Sequence, residues 1–146
     1  MMNLTIVGTG YVGLVTGVCF AEFGYSVTCI DKDTERLEKL KSGTCPFFEP
    51  GMDKLLDKHI NKTKLLSFAS SIKNNSENTD IFFITVGTPT RRLEDEADLS
   101  FVWQVADEIS ENIKKYCLVV TKSTVPVGTT SEVKKIISNK VDQKLF

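Results

Sequence analysis

Leu4-Thr5-Ile6-Val7-Gly8-Thr9-Gly10-Tyr11-Val12-Gly13 opens the chain with a short apolar run that passes directly into a G-x-G-x-x-G loop. A β-branched run bounded by glycine reads as a buried strand. Val12 to Phe23 continues as a helix, and Gly24 stands just past its end as the stop signal. Strand, glycine loop and helix in direct succession are the context in which this spacing signals a phosphate cradle and not a plain turn. Each glycine has its own task. Gly8 permits the tight turn, Gly10 lets a pyrophosphate approach bare backbone, and Gly13 with Gly17 lets the helix sit close to the sheet. The N–H groups at the helix start, around Tyr11 and Val12, point at phosphate, and the helix dipole favours its charge. The next strand, Ser26-Val27-Thr28-Cys29-Ile30, ends at Asp31, 18 residues beyond Gly13. A carboxylate there accepts both hydroxyls of an adenosine ribose and repels a 2′-phosphate, so NAD is expected over NADP. Lys32 and Arg36 weaken that preference slightly.

Outward from this unit the strand–helix alternation continues. Asp33 or Thr34 caps a helix whose Leu37 and Leu40 face inward, and Gly43 ends it. A Pro- and Gly-punctuated loop, Cys45 to Gly51, precedes a helical face of Met52, Leu55, Leu56 and Ile60. His59 lies near that stripe without a partner motif and is expected to pack. Lys64 to Phe68 fits a short edge strand, and Ser70 to Thr79 a weak helix plus loop. Asp80 to Val86 is the most apolar run, the signature of a central parallel strand buried on both faces. Asp98 caps a helix with Leu99, Val102, Ala106, Ile109 and Ile113 inward. Leu118 to Thr121 reads as another buried strand, and Val127 to Ser138 as the last helix. The alternation implies an α/β fold, a Rossmann-type doubly wound parallel sheet. The full form has six strands in the order 3-2-1-4-5-6. Four clear strands and one weak one are countable, so the sheet is expected to be truncated at its C-terminal edge, with Lys144-Leu145-Phe146 beginning the missing strand.

Composition narrows the function classes. The chain has 146 residues, 41% hydrophobic and 25% charged, which suits one globular domain. A net charge of -1 supplies no basic field for nucleic acid. No apolar run approaches the ~18–20 residues of a membrane span, and the N-terminus lacks the basic and apolar regions of a signal peptide. Cys19, Cys29, Cys45 and Cys117 are widely spaced and His59 is the only histidine, so no metal site is expected. Cys19 and Cys29 read as small buried hydrophobes in a reducing, cytoplasmic setting.

Five ordered motifs then resemble one family, the UDP-glucose/GDP-mannose dehydrogenases. They are Ile6 to Leu14 around the glycine loop, Pro46-Phe47-Phe48-Glu49-Pro50-Gly51, Val86-Gly87-Thr88-Pro89, Ala97-Asp98-Leu99-Ser100, and Lys122-Ser123-Thr124-Val125-Pro126-Val127-Gly128-Thr129. The resemblance implies oxidation of the C6 alcohol of a nucleotide sugar to a carboxylate with two NAD+, through a thiohemiacetal and thioester on a cysteine. UDP-glucose is the expected sugar, with GDP-mannose and UDP-N-acetylmannosamine as alternatives. It also implies that Val12, Asp31 and Arg36 contact the cofactor, Arg36 standing where the family usually has lysine. Thr88 would lie along the nicotinamide side, and Thr124 would position a water for thioester hydrolysis beside the cofactor. Other readings stand beside these. Thr88-Pro89 also fits a strand-end turn, Thr124 a turn that caps the last helix, and Arg36 a solvated helix residue. Arg91-Arg92 with Glu94, Asp95 and Glu96 fits a solvated loop able to shift on cofactor binding.

The chain departs from the family pattern in several respects. The glycine-rich G-F-G-G-x-C motif of the catalytic cysteine does not occur, and Cys45 in Gly43-Thr44-Cys45-Pro46 is only a distant imitation. The N-P-E-F-L-[RK]-E-G segment, the central helical dimerisation region and the C-terminal sugar-binding domain are also not in these residues. Residues 1–146 are therefore expected to form an incomplete NAD-binding domain, inactive alone and homodimeric only with the central region. The alternative is a binding module that docks on a separately encoded C-terminal half.

Overall fold

A computed structural model describes residues 1–90 and 97–146. The expected Arg91–Glu96 loop lies outside the described residues. Among the described residues, five parallel strands form one sheet: β1 (Asn3–Val7), β2 (Ser26–Ile30), β3 (Leu66–Ala69), β4 (Ile81–Ile84) and β5 (Leu118–Thr121). Their order is β3-β2-β1-β4-β5, with Leu4 opposite Val27 on one side and Ile81 on the other. Helices α1 (Tyr11–Glu22), α2 (Thr34–Lys41), α3 (Met52–Asp57), α4 (Ser100–Asn112) and α5 (Thr129–Ser138) cover both faces.

Alternation along the strands divides the core. Leu4 and Ile6 of β1 pack with Leu14 and Val18 of α1, Leu40 of α2 and Leu56 of α3. Val7, with Phe82 and Ile84 of β4, packs against Val102, Ala106 and Ile109 of α4 and Ile137 of α5. The central strand β4 thus contributes Ile81 and Phe83 to one layer and Phe82 and Ile84 to the other, as a strand buried on both faces must. Asp33 caps α2 by accepting the Arg36 N–H. Asp98, expected as the cap of α4, stands one residue ahead of the cap position, which Leu99 holds, and accepts the Ser100 N–H from there. Among the described residues, no helix is long and apolar enough to cross a membrane.

Several expectations are corrected. Ser70–Thr79 forms turns and no helix: Asn75 Nδ2 donates to the Ser71 and Lys73 carbonyls, and Asn74 sits at φ 65°. These side chains offer the backbone an alternative to a helical ladder. The stripe of Met52, Leu55, Leu56 and Ile60 is interrupted because Lys58–Lys62 is π-helical. The wider turn carries His59 fully inside and leaves Leu55 and Ile60 only half-buried. His59 Nε2 meets Glu22 Oε2 at 2.6 Å and Nδ1 meets Thr63 Oγ1 at 3.0 Å, so it packs with two polar partners. Strand β5 is an edge strand and is not deeply buried; Leu118 is 47% exposed. Lys144-Leu145-Phe146 does not begin a strand. Gln143–Leu145 is a 3-10 turn whose Leu145 carbonyl accepts the Cys117 N–H, and Phe146 packs back on the α4–α5 layer. Cys29 is buried as expected, but Cys19 faces outward on α1.

Candidate cofactor-binding site

The C-terminal ends of β1, β2 and β4 converge where the strand order reverses, and a cleft of about 510 Å³ opens there. Such switch points are where doubly wound sheets take their ligands. Gly8, Gly10, Asp31 and Arg36 line it, together with Val86 and Gly87 after β4 and Phe101, Gln104 and Glu108 of α4.

The glycine loop is shaped by contacts that leave no room for side chains on one side and open space on the other. Gly8 lies at φ 103°, and a Cβ on Gly13 would stand 1.8 Å from the Gly8 carbonyl oxygen and 2.6 Å from Thr85 Oγ1. Thr85 Oγ1 donates to the carbonyls of Val7 and Gly8, fixing the turn to β4. Gly17 meets Cys29 Sγ, where a Cβ would be 2.7 Å away. At Gly10 a Cβ would meet nothing within 4 Å, so the loop presents bare backbone to the cleft. The first intrahelical bond runs from Leu14 N–H to the Gly10 carbonyl at 2.9 Å, which leaves the N–H groups of Tyr11, Val12 and Gly13 ahead of the ladder.

Asp31 is the most elaborately held group in the cleft. Its Oδ2 accepts the Thr9 N–H at 2.8 Å, the Thr9 hydroxyl at 2.6 Å and Arg36 Nη1 at 3.0 Å. Oδ1 accepts the Asp33 N–H at 2.9 Å. Burial works to raise this carboxyl, but the bonds from Thr9, Asp33 and Arg36 together hold it below its usual range. It is an ionised acceptor whose Oδ1 retains capacity for a further donor.

The remaining expected residues fall into two groups. The side chains of Tyr11 and Val12 are exposed and do not line the cleft; only their main-chain N–H groups, ahead of the helix ladder, are on offer. The Tyr11 hydroxyl instead donates to Glu49, and its ring stacks 5.1 Å from Phe47, fastening the Pro46–Gly51 loop to the start of α1. Thr88 and Thr124 do not line the cleft but meet each other: Thr88 Oγ1 donates to the Thr124 carbonyl at 2.8 Å, one residue past the cleft-lining Gly87. Thr124 does not cap α5, because Gly128 occupies the cap position at φ 93°.

Sequence reading missed Thr9 and the α4 face of Phe101, Gln104 and Glu108. The α4 residues recur at helical spacing beside the buried stripe, and an aromatic exposed in the first turn was the available signal. Thr9 carried no signal, since its role exists only through Asp31 across the turn.

A bare-backbone loop at a helix start, facing a clamped carboxylate at the end of the neighbouring strand, defines a dinucleotide-binding domain. The NAD binding domain of the UDP-glucose/GDP-mannose dehydrogenase family matches residues 2–145, and the chain belongs to that family. It is 49% identical over 136 residues to a UDP-glucose 6-dehydrogenase of Rhizobium meliloti (strain 1021), covering 93% of this chain and 31% of that one. A UDP-glucose dehydrogenase structure from Pyrobaculum islandicum superposes with a TM-score of 0.90 at 36% identity, covering 96% of this chain and 33% of that chain. A ternary complex of GDP-mannose dehydrogenase from Pseudomonas aeruginosa gives a TM-score of 0.91 at 31% identity, covering 98% of this chain and 33% of that chain. The chain spans about a third of the length of the relatives it matches. Its cofactor is NAD.

Proposed function

We propose that this chain serves as the cofactor-holding portion of an enzyme that oxidises UDP-glucose to UDP-glucuronate. The observation that carries the binding part is the clamped Asp31 facing the open backbone of Gly10 across one cleft. The N–H groups of Tyr11 and Val12 hold the pyrophosphate, Gly8 and Gly13 keep the loop close enough to do so, and Asp31 Oδ1 accepts from the ribose hydroxyls. Arg36 orients Asp31 and balances its charge. Thr88 and Thr124, joined by their hydrogen bond, would serve the nicotinamide side, where Thr124 would position water for the hydrolytic step. NAD+ supplies the hydride acceptor when bound. UDP-glucose is favoured among nucleotide sugars by the name of the 49% identical relative.

Isothermal titration of the 146-residue chain with NAD+ tests the cofactor reading. Asp31→Ala is expected to weaken binding by ~1–3 kcal/mol, the worth of a charge-assisted hydrogen bond. Undiminished affinity in that variant removes Asp31 from the site. The sugar assignment is tested by reading the coding sequence downstream for a G-F-G-G-x-C motif and assaying the joined product on UDP-glucose and GDP-mannose.

A further inference from the structure

Among the described residues, two cations, Lys32 and Arg36, line the cleft beside Asp31, and a cation at this place is what receives a 2′-phosphate, ordinarily an arginine. Neither is left uncommitted. Arg36 Nη1 lies 3.0 Å from Asp31 Oδ2, and its Nη2 lies 3.4 Å from Asp33 Oδ2. Lys32 Nζ pairs with Glu108 Oε1, a contact joining the end of β2 to the middle of α4. Lys32 and Glu108 both line the cleft, so the pair closes its margin from opposite sides. Three carboxylates, Asp31, Asp33 and Glu108, thus confront two cations, Lys32 and Arg36.

We infer that Glu108 is a specificity-determining residue for the cofactor: it engages Lys32 and so withholds from a 2′-phosphate the cation that, of the two lining the cleft among the described residues, Asp31 and Asp33 do not already hold. This rests on the proposed placement of the adenosine ribose at Asp31. Asp31 alone discriminates by repulsion, yet a lysine directly after it would offset that repulsion if it were free to turn toward the phosphate. Glu108 removes the offset. The sequence places Lys32 and Glu108 76 positions apart, and only the parallel β1–β4 pairing and the seat of α4 bring them together.

The test measures the affinity of the full 146-residue chain for NAD+ and for NADP+ by titration calorimetry, and reads their ratio within each variant. A ratio cancels losses common to both ligands. Glu108→Gln is expected to shift the ratio toward NADP+ by about threefold to tenfold, a modest figure because Lys32 is largely solvent-exposed. Adding Lys32→Met to Glu108→Gln is expected to abolish that shift. A shift below about threefold in Glu108→Gln overturns the inference, as does a shift that survives Lys32→Met, which would assign the effect to the charge of Glu108 alone. Absence of NAD+ binding by the unaltered chain overturns the ribose placement and this inference together. A failed shift with NAD+ binding intact overturns this inference only.

Discussion

At Asp31 burial and hydrogen bonding oppose each other, and hydrogen bonding wins. Burial favours the neutral acid, while Thr9, Asp33 and Arg36 donate only usefully to the anion. The carboxyl is therefore held below its usual value in the folded state, and the sign of its effect on stability follows. Its contribution is fully present above the unfolded value of about 3.9 and is lost as pH falls through the lower folded value. Asp31→Asn is expected to melt lower than the parent at pH 7, and the gap should narrow as pH drops below about 4. Thermal melts at a series of pH values check this, and a gap independent of pH would contradict an anionic clamp. The position of this residue was legible from its spacing to Gly13, because strand and helix lengths in the first unit fix the distance. Its two-point grip by Thr9 was not, since that grip depends on the turn geometry at Gly8.

The first helix shows how two glycines in one motif do separable work. Gly13 lies where a methyl group would enter the Gly8 carbonyl at 1.8 Å, so Gly13→Ala must push α1 off the loop. A loss of about 1–3 kcal/mol, the usual cost of overpacking, is expected in a denaturant melt. Gly10 lies in the extended region at φ -66° and ψ -173°, open to any L residue, with open space at its Cβ, so Gly10→Ala should fold with little loss. The added methyl instead points into the cleft, and NAD+ affinity should fall. Equal destabilisation by both substitutions would show that the loop has no such division. Elements at this scale were legible where periodicity and capping agreed, as in α2 with Asp33 ahead of it and Leu37 and Leu40 inside. They were misread where a feature has no local code. The π-helical turn at Lys58–Lys62 changes which residue faces inward without changing composition. Strand β5 has the apolar content of a central strand, and only the sheet order makes it an edge.

For the molecule as a whole, that edge and the thiols set the remaining expectations. The outer side of β5 has no strand partner among the described residues, and Tyr116 and Leu118 are exposed beside it. Unpaired edges template association, so sedimentation at two concentrations should show self-association; a compact monomer at both would show the edge to be well protected. Catalysis needs a thiolate against the sugar C6 and the nicotinamide at once, and proximity supplies much of such a rate. None of the four cysteines is among the residues lining the cleft. Cys29 lies on β2, sealed beneath Gly17 of α1, and burial pushes its thiol up to about 12. Cys117 precedes β5, and burial raises it to about 11. Cys45 is half-buried in the loop before α3, where burial raises its thiol, the Asp53 and Glu49 carboxylates raise it further, and its N–H donates to Asp53 Oδ1 at 2.7 Å. Cys19 faces outward on α1, on the other side of the sheet from α4. The 146-residue chain is therefore expected to form no NADH from UDP-glucose when followed by absorbance, although it binds the cofactor. Steady turnover by the purified chain, retained in a host lacking its own nucleotide-sugar dehydrogenase, would place a reactive thiol among these four; substitution of Cys45 would then be the first discriminating experiment.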